Sequence, residues 1–198
     1  MGRGFEPHGA YKFLRIKSGV FFPIHTERLN ISPLGPNDVE SFVSYRQDPD
    51  VARYQSWEPT YSKAQALELI DSQQGQDFPG TDQWLQIGIR LHGTDELVGD
   101  LALHAMQQPG EFELGFSLSS SHQGQGYARE AARALLEQLF SKRQAKLVLA
   151  FTDSRNLASK KLLGSLGFLN QPDKNWVEEF KGETVTVETY ELRSPSAL

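Results

Sequence analysis

A helix that starts directly after two glycines limits most strongly what this chain can fold into. The sequence SHQGQGYARE occupies residues 121–130, and apolar side chains then recur at helical spacing as far as Phe140. The apolar side chains are those of Ala128, Ala131, Ala132, Leu135, Leu136, Leu139 and Phe140. Residues 146–153, KLVLAFTD, are almost entirely apolar, which is typical of a central strand covered on both faces. The pattern predicts a helix packed on a sheet, with a glycine-rich turn at its start.

Alternation and turn signals place further elements around this helix. The predicted strands are 26–34, 83–91, 97–106, 111–119, 146–153 and 184–192. The predicted helices are 38–48, 62–74, 127–140 and 156–168. In the strand at 83–91, the side chains expected on one face are Trp84, Gln86, Gly88 and Arg90. This order predicts an α+β, or mixed α/β, sheet domain with one crossover helix after the strand at 111–119.

Composition excludes several classes of protein. The 198 residues contain no cysteine, so a disulfide framework, a thiolate metal site and a cysteine nucleophile are excluded. A net charge of −5 argues against a nucleic-acid partner. No apolar run approaches the roughly 20 residues of a membrane-spanning helix, so we expect a cytoplasmic protein without a membrane partner. Residues 1–22 are interpreted as a mildly basic, partly flexible extension, and residues 23–198 as a single domain.

Three kinds of anion-binding loop are candidates for the glycine pair. A helix N-terminus leaves N–H groups without partners and carries a partial positive charge, which suits a phosphate. A dinucleotide-binding loop needs a third glycine where Arg129 stands, and no P-loop sequence is present. Residues 123–128, QGQGYA, fit a third pattern, [RQ]-x-x-G-x-[GA]. Turn chemistry explains each glycine separately, but not the order of the elements around them.

This order of motifs resembles the GNAT superfamily of acetyl-CoA-dependent N-acetyltransferases. Residues 123–128 resemble its pyrophosphate loop, and RNLASKKLLGSLGF, which ends at Phe168, resembles the helix with its N-x-x-S and Gly-Phe motifs. Residues 26–51 are similar to the opening of RimJ/RimL-type members, and the whole resemblance covers about 24–193. It implies a twisted, mostly antiparallel sheet of about six to seven strands with helices on both faces. It also implies acetyl-CoA as cosubstrate and no metal.

The resemblance assigns residues to the donor. The pyrophosphate is expected on the backbone of Gln123, Gly124, Gln125, Gly126, Tyr127 and Ala128. The strands at 111–119 and 146–153 are expected to splay apart, with pantetheine pairing to the backbone of Phe116 and Leu118. Asn156 either caps its helix or binds the pantetheine amides, and the two roles are compatible.

Transfer to an amine requires a base, and the departing sulfur benefits from a proton donor. The resemblance places the base at Glu113, with three runners-up: Asp100, His104 and Glu111. There are two alternatives to Glu113 as the base. In one, Glu113 is a strand glutamate that only pairs with a neighbour or helps hold the acceptor; in the other, the amine loses its proton through ordered water. Many members carry a tyrosine acid where this chain has Leu163, which rules out that role here. The RimJ/RimL-type pattern points to Ser159 instead, whose alternative is a mid-helix serine bonded to a carbonyl.

Acceptor recognition is expected at Tyr54, Trp57 and Glu58, where aromatic rings and a carboxylate suit an ammonium group. The same three residues also suit an ordinary core corner. The expected acceptor is a small cationic amine, such as an aminoglycoside-like antibiotic or a polyamine, or a protein N-terminus, attacked directly in a ternary complex. A non-catalytic acyl-CoA-binding module and a nucleotide-binding regulatory domain are the competing hypotheses. The chain is expected to be a monomer or a homodimer.

Overall fold

A computed structural model describes residues 21–194, which build one sheet of nine strands. The strands are β1 (Ile24–His25), β2 (Leu29–Pro33), β3 (Gln83–Leu91), β4 (Leu97–Ala105), β5 (Glu111–Leu118), β6 (Leu147–Asp153), β7 (Leu169–Asn170), β8 (Trp176–Phe180) and β9 (Glu183–Arg193). The α-helices of this part of the chain are α1 (Val39–Arg46), α2 (Pro49–Ala52), α3 (Lys63–Ser72), α4 (Tyr127–Lys142) and α5 (Leu157–Ser165).

The sheet is antiparallel except at one pair of strands. Its order is β1-β2-β3-β4-β5-β6-β9-β7, and β8 pairs with β9. Strands β5 and β6 run parallel and are joined by α4. Parallel neighbours need a crossover connection of this kind, whereas the antiparallel pairs do not. The mixed α/β class, the mostly antiparallel sheet and the crossover helix after the strand at 111–119 are therefore confirmed.

Both faces of the sheet are covered, because side chains alternate along each strand. On β3, the fully buried Leu85, Ile87 and Ile89 pack in one core with α4. The opposite face carries Gln86 and Arg90, as the alternation predicts, and both are buried there. A buried guanidinium needs a partner, and Nε of Arg90 donates to Oδ1 of Asp38 at 2.9 Å.

Helices α1 and α3 cover that opposite face with Val39, Phe42, Tyr45, Ala66 and Ile70. Burying a large apolar side chain stabilises a fold by about 1.5–3 kcal/mol, so this layer is held mainly by its apolar contacts.

The helix predicted at 38–48 ends two residues early, and a second, short helix follows it. Helix α1 ends at Arg46, and the side chain of Asp48 accepts from the N–H of Asp50 as the N-cap of α2. Pro49 takes the first position of α2, where a missing N–H costs nothing. The aspartate–proline pair therefore starts a new helix instead of extending the old one.

The sheet has more strands than the six to seven expected. Strands β1 and β7 have only two residues each, too few for a visible alternation. Strand β8 exposes most of its side chains on both faces, so its sequence lacks a buried stripe. It is a strand because it pairs with β9, from Trp176 opposite Val187 to Phe180 opposite Glu183.

The packed domain includes residues expected in the N-terminal extension. Phe21 and Phe22 are buried in the main core, and their backbone N–H groups donate to the carboxylate of Asp77 at 2.9 and 3.2 Å. Residues 1–20 of the predicted extension lie outside the described residues. Between residues 21 and 194, no helix is both long and apolar enough to cross a membrane.

Candidate active site

Strands β5 and β6 separate after three residue pairs. Residues 111–113 of β5 pair with 147–149 of β6, whereas β5 continues to Leu118 and β6 to Asp153. Over the same stretch β5 keeps its partner β4, and β6 keeps its partner β9. The sheet therefore opens in a wedge, the β5–β6 fork, with its closed end at Glu113. The loop before α4 and the start of α5 follow the two strands at its wide end.

The open edge of β5 presents the backbone groups that were expected to bind pantetheine. The carbonyl oxygen of Phe116 accepts from Nε2 of Gln55 at 3.5 Å, and that of Leu118 accepts from Nε2 of Gln123 at 3.1 Å. Side-chain amides thus take the positions that a neighbouring strand would otherwise fill. A ligand amide can replace them without breaking the β4–β5 ladder.

The glycine loop, residues 123–128, has the backbone of an anion cradle. Gly124 (φ 74°) and Gly126 (φ 85°) have left-handed backbone conformations, which residues with a Cβ rarely adopt. The first hydrogen bond of α4 runs from the N–H of Glu130 to the oxygen of Gly126 at 3.0 Å. The N–H groups of Tyr127 and Ala128 precede that ladder and lie at the positive end of the helix.

Side chains brace this loop from two directions. Nε2 of Gln125 donates to the oxygen of Ser121 at 3.1 Å, and Nη1 of Arg28 donates to the oxygen of Gln125 at 3.0 Å. The guanidinium of Arg28 also lies 4.6 Å from the ring centroid of Tyr127. Arg28 was not among the residues predicted for the donor site, although it lies within residues 26–51, which resemble the opening of RimJ/RimL-type members. Because of these contacts the loop is held in shape before any ligand arrives.

Glu130, in the first turn of α4, fixes Arg28 in turn. Nε of Arg28 donates to its Oε2 at 2.7 Å, and Oγ1 of Thr26 donates to its Oε1 at 2.5 Å. Partial burial raises the pKa of Glu130, but the hydrogen bonds from Thr26 and Arg28 outweigh this and hold its pKa below the usual value. An ionised carboxylate is also favoured at a helix N-terminus.

Helix α5 brings Asn156 and Ser159 to the other side of the fork. Oδ1 of Asn156 accepts from the N–H of Ser159 at 3.1 Å, which is the capping role considered for it. The hydroxyl of Ser159, a residue that is 8% exposed, reaches the protein surface and makes no hydrogen bond with any residue from 21 to 194. By contrast, Oγ of Ser165 donates to the oxygen of Leu162 at 2.8 Å. Ser165 therefore bonds to a backbone carbonyl of its own helix, whereas Ser159 does not.

Glu113 lies at the closed end of the fork, on the sheet face opposite the buried Phe112 and Leu114. It is half-buried and stands across from His104 on β4, with 3.6 Å between its Oε2 and Nδ1 of His104. Burial raises the pKa of Glu113, and the charge of His104 partly offsets that shift. A carboxylate with a raised pKa is a better proton acceptor than an ordinary glutamate.

The other candidate bases differ in access. Asp100 is almost fully buried, and it accepts hydrogen bonds from the hydroxyl of Tyr45 and Nε2 of Gln86. Burial raises its pKa. Its enclosure by these donors favours a structural role. Glu111, the first residue of β5, is half-buried at the strand end away from the fork opening. His104 lies beside Glu113, with 3.6 Å between its Nδ1 and Oε2 of Glu113.

The three predicted acceptor residues already have partners. The guanidinium of Arg46 lies 3.8 Å from the ring centroid of Trp57, and Nε1 of Trp57 donates to the oxygen of Arg46 at 3.2 Å. Arg46 also lies 4.1 Å from the ring of Phe42. These contacts favour the alternative interpretation of Trp57, an ordinary core corner, because the chain's own cation covers one face of its ring. This contact between Arg46 and Trp57 was not predicted from the sequence.

Tyr54 and Glu58 lie nearer the surface. The guanidinium of Arg53 is 5.2 Å from the ring of Tyr54, and Oε1 of Glu58 is 3.7 Å from Nζ of Lys181. Both residues stay predicted acceptor contacts.

A cleft of about 270 Å³ lies between α2 and the turn that joins β8 to β9. Its charged lining residues are Arg53, Glu58, Arg155, Lys181 and Glu183. Nη2 of Arg155 pairs at 2.7 Å with Oδ2 of Asp153, the last residue of β6, which places the cleft at the wide end of the fork. Among the described residues, no group of three or more acidic or histidine side chains is arranged to hold a metal ion.

Comparison with known proteins points to one family. A family model described as an acetyltransferase (GNAT) domain matches residues 28–169. The uncharacterized N-acetyltransferase p20 of Bacillus licheniformis is 29% identical over 170 residues, which cover 85% of this chain and 94% of p20.

Two solved structures have the same fold. The spermidine N-acetyltransferase of Vibrio cholerae, in complex with CoA and spermine, matches with a TM-score of 0.73 at 19% identity, covering 85% of this chain and 97% of that one. RimL, a ribosomal L7/L12 alpha-N-protein acetyltransferase in complex with coenzyme A, matches with a TM-score of 0.70 at 17% identity, covering 89% and 98%. At these identities the likeness concerns the fold alone.

Proposed function

Because this chain belongs to the GNAT family of acetyl-CoA-dependent N-acetyltransferases, we propose that the β5–β6 fork holds acetyl-CoA and that Glu113 and Ser159 serve the transfer. Acetyl-CoA supplies a reactive thioester; the new bond is between acetyl carbon and amine nitrogen, and the carbon–sulfur bond breaks. The enzyme class predicted from the sequence is confirmed by the family match. The RimJ/RimL subgroup, the cytoplasmic location and a monomeric or dimeric state stay predictions.

The main support for this proposal is that the glycine loop lies at the wide end of the β5–β6 fork. The N–H groups of Gly126, Tyr127 and Ala128, at the start of α4, suit the pyrophosphate, and the guanidinium of Arg28 beside them adds positive charge. The oxygens of Phe116 and Leu118 suit the amide N–H groups of pantetheine once Gln55 and Gln123 turn aside. Gln123, Gly124, Gln125 and Asn156 complete the proposed donor site.

Glu113 is the proposed base. An amine attacks only in its neutral form, so a protonated acceptor must lose one proton before the carbon–nitrogen bond forms. The carboxylate of Glu113 faces the side of the sheet away from α4, and burial keeps its pKa raised. The proton would pass from the amine nitrogen to Oε2 of Glu113.

Ser159 is the proposed donor to the departing sulfur, because its hydroxyl is accessible on the fork side of α5 and has no hydrogen-bond partner among the described residues. Ser159→Ala is expected to lower kcat up to about tenfold, since a neutral hydrogen bond contributes about 0.5–1.5 kcal/mol. The measurement is kcat by thiol release. Ser165→Ala, in the same helix, is the matched control and should stay within about twofold of wild type. Full activity of Ser159→Ala would leave Ser159 a purely structural role.

The acceptor is proposed to be a peptide N-terminus. The cleft beside the fork carries more cationic side chains (Arg53, Arg155 and Lys181) than acidic ones (Glu58 and Glu183). Such a lining suits a single amine next to carbonyl or carboxylate groups better than a polycation. A polyamine or an aminoglycoside-like amine is the second candidate, supported by the net charge of −5 and by the fold shared with a spermidine acetyltransferase.

Acetyl-CoA-dependent thiol release against N-terminal peptides, polyamines, aminoglycosides and amino acids tests the proposal. Turnover of peptides with an unmodified N-terminus, and none after N-terminal blocking, is the expected result. Turnover of polyamines alone would replace the peptide by the second candidate. Tight binding of acetyl-CoA without turnover of any amine would favour the acyl-CoA-binding module, and tighter binding of ATP or NAD would favour the nucleotide-binding hypothesis.

A further inference from the structure

His104 lies between two carboxylates on the face of the sheet away from α4. Its ring stacks on Trp84 of β3, with 4.8 Å between the ring centroids and 11° between the planes. Nε2 lies 3.2 Å from Oδ1 of Asp82, and Nδ1 lies 3.6 Å from Oε2 of Glu113. The stack fixes the plane of the imidazole, so each ring nitrogen points at its own carboxylate.

The contact with Asp82 selects the tautomer of His104. A carboxylate can only accept, so Nε2 of His104 carries the proton in this contact. In the neutral ring Nδ1 then has a free lone pair, which faces Glu113. Nδ1 is buried and has no hydrogen-bond partner among residues 21–194. The lone pair is therefore available to the one acidic proton near it, that of Glu113.

The backbone of Asp82 is shaped to hold its carboxylate in place. Asp82 has a φ of 59°, in the left-handed region, and its N–H donates to the oxygen of Ala105 at 2.6 Å. Aspartate tolerates this conformation better than most residues. Nε2 of Gln107 donates to Oδ2 of Asp82 at 3.2 Å. Since the side chain of Asp82 is 55% exposed, it connects the half-buried His104 with water.

We propose that His104 and Asp82 form a proton relay that carries the acceptor's proton from Glu113 to solvent. The proposal rests on the proposed role of Glu113 as base. The proton taken from the ammonium group moves from Oε2 of Glu113 to Nδ1 of His104. The proton on Nε2 of His104 leaves to water at Asp82, and exchange of the ring protons with water, with one proton lost from Nδ1 and one gained on Nε2, restores the starting tautomer. One proton enters and one leaves, so Glu113 is ionised again for the next turnover.

His104 is a positioning and relay residue, because it reaches the acceptor only through Glu113. The charged groups that face it are Asp82, from the segment before β3, and Glu113 on β5. Asp100 lies farther along β4 and is engaged with Tyr45 and Arg46, and no charged group of the described residues stands between it and His104.

His104→Gln is expected to lower kcat about tenfold while the KM for acetyl-CoA stays unchanged, because the glutamine amide cannot accept a proton at neutral pH. The acid limb of kcat/KM should also move to higher pH, since the interaction with His104 that lowers the pKa of Glu113 is lost. A purely structural role of His104 would not move that limb. His92→Gln, at an exposed histidine of the β3–β4 turn, is the control and should keep the wild-type profile.

Chemical rescue tests the relay independently of folding. In His104→Ala, added imidazole is expected to restore kcat at least about fivefold, and the acetylated amine should be measured directly because imidazole also attacks thioesters. No rescue is expected in the double variant with Glu113→Gln. Asp82→Asn should reduce kcat below neutral pH, whereas Asp95→Asn, another aspartate with a left-handed backbone (φ 57°), should not.

The outcomes separate the relay from the proposed function. A large loss in Glu113→Gln together with wild-type pH profiles in His104→Gln and Asp82→Asn would overturn the relay alone. Wild-type activity of Glu113→Gln would overturn both. If the effects of His104→Gln and Glu113→Gln multiply in the double variant, the two residues act independently and the relay is wrong.

Discussion

Valine in place of Gly126 is expected to raise the KM for acetyl-CoA by at least about 100-fold. Gly126 has a φ of 85°, which a β-branched residue adopts only under strain. A Cβ there would also lie 3.4 Å from Nη2 of Arg28, the residue that braces the glycine loop. Losing two charge-assisted hydrogen bonds of about 1.5 kcal/mol each corresponds to this factor, because about 1.4 kcal/mol is tenfold.

Steady-state kinetics with acetyl-CoA varied, and calorimetric titration of CoA, measure the effect of Gly126→Val. Gly75→Val is the matched control, since Gly75 also has a left-handed backbone (φ 76°) with open space around it, in the turn after α3. It should lower Tm by a similar amount without changing the KM for acetyl-CoA. Normal donor kinetics in a folded Gly126→Val protein would mean that the loop does not bind the donor.

Glu113→Gln is expected to lower kcat about 100-fold near neutral pH, as general base catalysis typically contributes 100-fold or more. The loss should shrink as the pH rises, because a larger share of the amine is then neutral without help. In the wild type, burial raises the pKa of Glu113, so activity should fall as the pH drops through that raised pKa. The variant should lack this acid limb.

The pH dependence of kcat and kcat/KM for wild type and Glu113→Gln provides the test. Glu179→Gln, at an exposed glutamate of β8, controls for the loss of a strand carboxylate and should leave both profiles intact. A kcat for Glu113→Gln that equals wild type at every pH would remove Glu113 from the mechanism. Deprotonation through ordered water would then account for the reaction.

The local elements of this fold were predictable because short-range physics decides them. The strand at 83–91 has the same limits in the structure, and the helix predicted at 127–140 runs to Lys142. Alternation reports which side chains a strand buries, and the apolar stripe reports the buried face of a helix. The sequence predicted a glycine-rich turn before α4, whereas the left-handed backbone of Gly124 and Gly126 is seen only in the structure.

The donor site was predicted from the order of the sequence motifs, and not from the hydrophobic periodicity of the strands and helices. No local pattern in residues 111–119 says that β5 leaves β6 after Glu113, and the expectation of a splay came from the family resemblance. The side-chain donors on the open edge were missed for the same reason. Gln55 reaches Phe116 from a different segment of the chain, and a single sequence does not report such contacts.

Tertiary structure alone decided which distant side chains meet. The sequence contains Arg46 and Trp57, but the crossing of α1 with the segment before α3 puts the guanidinium on the ring and removes that face from an acceptor. Likewise, the register of β4 against β5 sets His104 opposite Glu113, and a shift by one residue would turn one of them to the other face. Periodicity determines which face a residue occupies, whereas packing and strand register determine its neighbours, and the chemistry of the site depends on those neighbours.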